Sequence, residues 1–272
     1  MSSPPWSKAI RSVGRAAWSA LPREPSSGSS RGGEACARYH DENVRGLTCV
    51  RVQCDEIWSF CHAKERNVKP RDKGDSVGDI WTWVAIDSDT KLVMSYLCGQ
   101  RTHRWARRFA RDLAERIDSH VQISTDGLST YGDAIPYQFG YRRDLGQEVK
   151  EYGTWRDPTK PDTRYSPSFV KSIRRTRVFG APDPDYISTA HIERQNLTMR
   201  MSMRRFTRLT NVFSKKLEKH RHALALHVMY YNFCRHHGSL RATPAIHSGL
   251  TKRVWTLHDI ANLPDILRDS AA

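Results

Sequence analysis

Asp55, Asp126 and Glu193 are the residues of this chain best suited to chemistry: three carboxylates far apart in sequence, each at an element edge where acids gather around divalent metal. Asp55 lies in Val50-Arg-Val-Gln-Cys-Asp-Glu-Ile-Trp58, an alternating run that reads as a strand. Asp126 closes Val121-Gln-Ile-Ser-Thr-Asp-Gly127, a short strand stopped by glycine, and Glu193 opens a helix in Ser188-Thr-Ala-His-Ile-Glu-Arg-Gln-Asn196. Magnesium takes octahedral oxygen ligands and few carboxylates, leaving the remaining positions to water and phosphate. Three acids on three elements suit a pair of Mg²⁺ ions, with Mn²⁺ as a substitute, for in-line displacement at phosphorus. Taken singly, each acid also has an ordinary explanation: Asp126-Gly127 is a common turn pair, Glu193 suits a positive helix start, and Asp55 fits a surface position.

The elements that must position these acids can be read from periodicity. Strands are expected over Val50–Phe60, Ile80–Ile86, Leu92–Leu97 and Val121–Thr125, with a hairpin across Asp87-Ser-Asp-Thr90. On the first strand, Val50, Val52, Cys54 and Trp58 share one face and Asp55 the other, so Glu56 is expected to point away from Asp55. Trp105, Phe109 and Leu113 recur at helical spacing between Thr102 and Asp118, and Leu128–Ile135 reads as a short helix. Two further helices are expected, from about Thr189 to Arg208 and from Lys215 to His236. Strand, strand, strand, helix, strand is the element order of a ribonuclease H type of mixed α/β sheet flanked by helices.

The remaining segments look less ordered. Residues 1–34 are rich in Ser, Pro, Gly and Arg and read as a disordered head, with an organellar transit peptide as the alternative. Tyr141 to Asp185 mixes Pro, Gly, charge and scattered aromatics and reads as an irregular insertion over 141–185. One catalytic domain is therefore expected over 35–257, followed by a C-terminal tail over 258–272.

The balance of 44 Lys and Arg against 29 Asp and Glu gives a formal net charge of +15, a field that attracts phosphate backbones or acidic lipid surfaces. No apolar run reaches membrane-spanning length and no hydrophobic signal core is present, which points to a soluble, intracellular protein without a membrane partner. The six cysteines contain no C-x-x-C pair and read as reduced core thiols. Two metal alternatives stay open: a zinc site from Cys36, Cys49, Cys54 and His62, and another from His220, His222, His227, Cys234, His236 and His237. Asp87, Asp89 and Asp133 read as turn or exposed helix acids. A basic stripe of Arg194, Arg200, Arg204, Arg205, Arg208, Lys215 and Lys216 offers phosphate contacts, with Glu193, Leu197, Arg200 and Arg204 expected along one helical side. Met199 and Met203 read as core filling.

Val52-Gln-Cys-Asp-Glu-Ile-Trp-Ser-Phe, Thr125-Asp-Gly-Leu-Ser-Thr-Tyr and Ile192-Glu-Arg-Gln-Asn-Leu-Thr-Met-Arg, in that order, resemble transposases of the insertion sequence one family, within the DDE superfamily. The resemblance covers roughly Ala35 to Leu257. It implies that Asp55, Asp126 and Glu193 bind the catalytic metals and that the substrate is DNA, both element ends and target. It further implies a homo-oligomer, no small-molecule substrate, and a cytoplasmic, nucleoid-associated place in a bacterial or archaeal cell. Members of that family carry an amino-terminal zinc-binding and helix-turn-helix region, and Met1 to Gly33 does not look like one. A truncated or frame-altered copy is therefore expected. A ribonuclease H-like structure-specific nuclease and a non-catalytic DNA-binding remnant are the alternatives. Recombination through a covalent tyrosine, suggested by Arg235-His-His-Gly238, is set aside because no tyrosine follows that box.

Overall fold

Alternating apolar residues build the centre of the molecule. In the computed structural model, which describes residues 27–72, 74–153, 169–207 and 210–269, six strands form one mixed sheet. They are β1 (Arg51–Cys61), β2 (Gly78–Asp87), β3 (Val93–Gly99), β4 (Val121–Thr125), β5 (Arg143–Gly153) and β6 (Phe169–Phe179). Their order is β3-β2-β1-β4-β5-β6. β1, β2 and β3 pair antiparallel, β1–β4 and β4–β5 pair parallel, and β5–β6 is antiparallel. The expected first four strands and the turn after Asp87 are all present. Asp87 caps that turn by accepting from Asp89 N and Thr90 Oγ1.

The helices are α1 (Ser27–Asn43), α2 (His103–Ala114), α3 (Ser129–Phe139), α4 (Ala190–Ser202), α5 (Leu217–Met229), α6 (Pro244–His247) and α7 (Leu257–Asp269). They cover both faces of the sheet because the strands alternate. Val52, Cys54, Trp83, Met94 and Ile123 bury against Phe109 and Leu113 of α2 and Tyr131 and Ile135 of α3. Ile57, Ile80, Val84 and Ile86 bury against Ile192 and Met199 of α4 and Leu224 and Val228 of α5. A third cluster joins α1, the end of α5 and α7 through Cys36, Met229, Phe233, Ile260, Leu263 and Leu267. No helix among the described residues is long and apolar enough to cross a membrane.

Four expectations are corrected here. Residues 27–34, placed in the disordered head, begin α1; the rest of that head lies outside the described residues. Small residues make this helix pack: a Cβ on Gly33 would stand 2.4 Å from His222 Cβ, so glycine lets α1 touch α5. The insertion over 141–185 contains β5 and β6, two of the six strands. The tail over 258–272 is mostly α7, whose Ile260, Leu263 and Leu267 reach the third cluster. The helix expected over Thr189–Arg208 ends at Ser202, because Met203 turns extended (φ −124°, ψ 101°) and sends Phe206 into the core.

Candidate metal centre

The register of β1 on β4 assembles the site. Cys54 pairs with Thr125 in a parallel ladder, so Asp55 and Asp126, the next residue of each chain segment, emerge side by side. β4 stops at Thr125 while β1 runs on to Cys61, which leaves the stretch of β1 from Asp55 to Phe60 without a paired strand on that flank among the described residues, until Cys61 bridges Ser214. Side chains from both sheet faces can reach into this gap. Glu56 does so, and Asp55, Glu56 and Asp126 each present a carboxylate oxygen within 4.8 Å of the others. Glu56 does leave the strand on the α2/α3 side, as alternation requires, yet it does not point away from the other acids. It is the member that sequence reasoning missed.

Each acid is held by its own partners. Asp55 Oδ1 accepts from Glu56 N at 2.8 Å, and Oδ2 accepts from Asn196 Nδ2 of α4 at 2.8 Å. Asp126 Oδ1 accepts from Leu128 N at 3.0 Å, an Asx turn that leads into α3. Arg101, stacked 4.7 Å over the Trp81 ring, donates from Nε to Glu56 Oε2 at 3.1 Å and brings Nη2 to 3.8 Å from Asp126 Oδ2. Burial and then the charge of Asp126 push the Asp55 carboxyl up to about 6, against the hydrogen bonds from Glu56 N and Asn196; Glu193 adds a smaller push. Burial pushes Glu56 up to about 7. Tyr131 and Arg101 oppose the rise, and Asp126 and Asp55 add to it. Tyr131 Oη is close enough to act on this carboxyl, although neither it nor Glu56 Oε1 makes a hydrogen bond of regular geometry.

Glu193 stands beside this group and is not one of its three members. Its Oε1 accepts from Lys150 Nζ of β5 and, at 2.6 Å, from Thr189 Oγ1. Lys150 also lies 3.3 Å from Glu148 Oε1, so one ammonium serves two acids. Of the three acids picked from sequence, two converge directly; the third is linked through α4, where Asn196, three residues on, holds Asp55.

The donor set suits a hard divalent cation. All three groups that could ligate an ion are carboxylates, and Glu56 Oε1 is a buried oxygen without a regular partner. The thiols are unsuited: Cys54, next to Asp55, is buried and pushed well above its ordinary value. Neither zinc alternative forms among the described residues. Cys36 sits in the third cluster, Cys49 and Cys54 sit under α2 and α3, and burial pushes His220 and His227 down to about 3, as neutral core groups.

The basic stripe divides. Arg194, Arg204, Lys215 and Lys216 are exposed and Arg200 is half-buried. Arg205 is turned inward, donating from Nη1 to Ser214 Oγ and Lys219 O, so it braces the loop before α5 rather than facing solvent. Arg204 falls beyond the end of α4 and off the Glu193 face, and Arg208 lies outside the described residues. Neither the protein-family models nor the curated proteins contain a match to this chain.

Proposed function

We propose that the chain is a DDE transposase with a ribonuclease H-like core, cutting DNA strands and transferring them with Mg²⁺. The observation that carries this reading is the parallel register that sets Asp55 beside Asp126 at the open flank of β1, with α4 bringing a further acid alongside. A sheet ordered 3-2-1-4-5, antiparallel in its first three strands and parallel in the next two, supports it, as does a charge of +15.

Asp55, Glu56 and Asp126 would hold the cation, and Glu193 lies close enough for its charge to act on Asp55. When bound there, a pair of Mg²⁺ ions would supply activation of an attacking oxygen and stabilisation of the leaving oxygen at phosphorus. Asn196 and the Glu56 amide fix the Asp55 carboxylate in one orientation, and Arg101 neutralises part of the negative charge of Glu56 and Asp126. Lys150 holds Glu193 in place at the rim, where its position on β5 also suits a phosphate contact.

Purified protein with Mg²⁺ and a DNA carrying element ends is expected to yield 3′-OH nicks and strand-transfer products. Asp126→Asn should abolish both while DNA retention on a gel persists, because a lost ligand acts on the transition state. Undiminished cleavage by that variant would remove the site assignment. Binding without cleavage by the unaltered protein would leave the DNA-binding remnant in its place.

A further inference from the structure

The strand at the far edge of the sheet is unlike the other five. All eleven residues of β6 are exposed, it pairs only with β5, and it carries Lys171, Arg174, Arg175 and Arg177 with no acid. Among the described residues only Arg175 has an acidic partner, Glu148 at 3.3 Å. An edge this long and this open ordinarily invites another strand.

We propose that β6 is a DNA-docking edge whose cations grip the sugar-phosphate backbone beside the acid cluster. The inference rests on the DNA reading above and adds to it an element that lies outside the α4 and α5 stripe. Register fixes where the cations stand. Arg175 pairs with Glu148 and Arg177 with Gly146, so both share the sheet face of Lys150's neighbour Glu148, on the side of α4 and Glu193. Arg174 pairs with Val149 on the opposite face, where Val149 lies against Gly127, the residue after Asp126. Cations on both faces of one strand thus bracket the end of the sheet that holds the acids.

Charge chooses the occupant. A second copy adding its own β6 would set Lys171, Arg174 and Arg177, which have no acidic partner among the described residues, against the same cations of its twin, which is repulsive. A phosphate backbone, with one negative charge per ~1.7 Å of duplex axis, offers the complement. The simplest rival is that these cations only keep the edge from aggregating.

The test uses the full chain and a labelled duplex of random sequence. Binding is followed by fluorescence anisotropy between roughly 50 and 200 mM salt. Replacing Lys171, Arg174 and Arg177 together by Gln leaves the Arg175–Glu148 pair intact. It is expected to weaken binding about 10-fold or more and to make the log-log salt slope shallower by up to ~2.7, about 0.9 for each lost contact. In the unaltered protein, addition of duplex should slow amide hydrogen exchange across residues 169–179, a readout independent of the variant's folding. Unchanged affinity and slope in a variant that aggregates overturns the proposal in favour of edge protection. A dimer by light scattering that dissociates with the substitutions, at unchanged affinity for DNA, overturns it in favour of a self-interface. If the unaltered protein fails to bind duplex at the lowest salt, the DNA reading falls as well, which separates the two failures.

Discussion

Replacing Glu56 by Gln should make the metal-free protein more stable, an unusual outcome for a buried polar position. The side chain is almost wholly enclosed, one of its oxygens lacks a regular partner, and it shares its surroundings with Asp55 and Asp126. Burial raises its pKa from 4.5 to about 7, which at about 1.4 kcal/mol per pH unit makes the charged form about 3 kcal/mol less favourable in the folded chain than in the unfolded one. Because the folded pKa lies above the unfolded one, stability from the neutral carboxyl is fully present below 4.5 and is lost as pH rises through 7. Gln keeps the shape and an acceptor for Arg101 Nε but carries no charge to lose. In EDTA at pH 8, Glu56→Gln should gain about 1–3 kcal/mol by urea denaturation, or about 3–10 °C in Tm. At pH 5 most of that difference should vanish. Millimolar Mg²⁺ should reverse the order, since a ligand at a hundred times its dissociation constant stabilises by about 2.7 kcal/mol and the variant has lost one of its donors. A variant that is equally stable or less stable at pH 8 in EDTA would refute the idea that Glu56 is a strained, ion-seeking carboxylate.

Three further outcomes follow from the same geometry. Gly33→Ala should destabilise by about 1–3 kcal/mol, because the new methyl meets His222 Cβ at 2.4 Å, whereas Gly32→Ala, with 4.0 Å to Leu226 Cδ2, should be neutral or stabilising; equal thermal melts for the two would count against tight α1–α5 packing. His40, His220 and His227 are buried, with pKa values lowered by burial from 6.5 to about 4, 3 and 3. Their stability is therefore present above 6.5 and lost as pH falls, by about 2 kcal/mol each at pH 5; measured in Glu56→Gln, which removes the larger of the two opposing carboxyl effects and leaves only the smaller one of Asp55, the urea midpoint should still fall from pH 7 to 5, and a flat profile would contradict it. Lys150→Met should leave Glu193 without its cationic partner, held by Thr189 alone, and lower cleavage more than DNA affinity, whereas an equal loss of both would make Lys150 a DNA contact alone.

Much of the sheet was legible because its strands are half-buried or fully buried. Ile80, Val84 and Ile86 on one face and Trp83 and Ala85 on the other leave a period of two that any reading finds. β6 lacks that signal for a physical reason: with every side chain exposed, no face is selected for apolarity, and Arg174-Arg175 reads as a charged loop. β5 borrows the same disguise, since Leu145 is fully buried while Glu148 and Lys150 serve the rim of the site. The start of α1, residues 27–34, hides in a Ser-Gly composition because it packs through smallness rather than bulk, whereas the part from Ala35 onward reads as a short helix leading into the first strand. α7 is a different case. Ile260, Leu263 and Leu267 stand at helical spacing, so the pattern was there to be read.

The site divides along the same line. Asp55 and Asp126 could be picked from sequence because strand ends are visible in apolar patterning and the ends of adjacent parallel strands meet. Glu56 could not, because alternation treats a sheet as a continuous wall that separates its two faces. That holds only while a neighbouring strand fills the flank. β4 is five residues long against eleven for β1, and where it stops the wall opens, so adjacent residues that leave on opposite faces reach one volume. The mismatch in length, set by Asp126-Gly127 ending β4 in an Asx turn, is what turns two neighbouring acids from a surface pair into a site. Gly127 matters to that turn through its closeness to β5. A Cβ there would come within 3.0 Å of Val149 Cγ2, so a side chain would require Val149 or the turn to give by a few tenths of an ångström beside the Asp126 carboxylate.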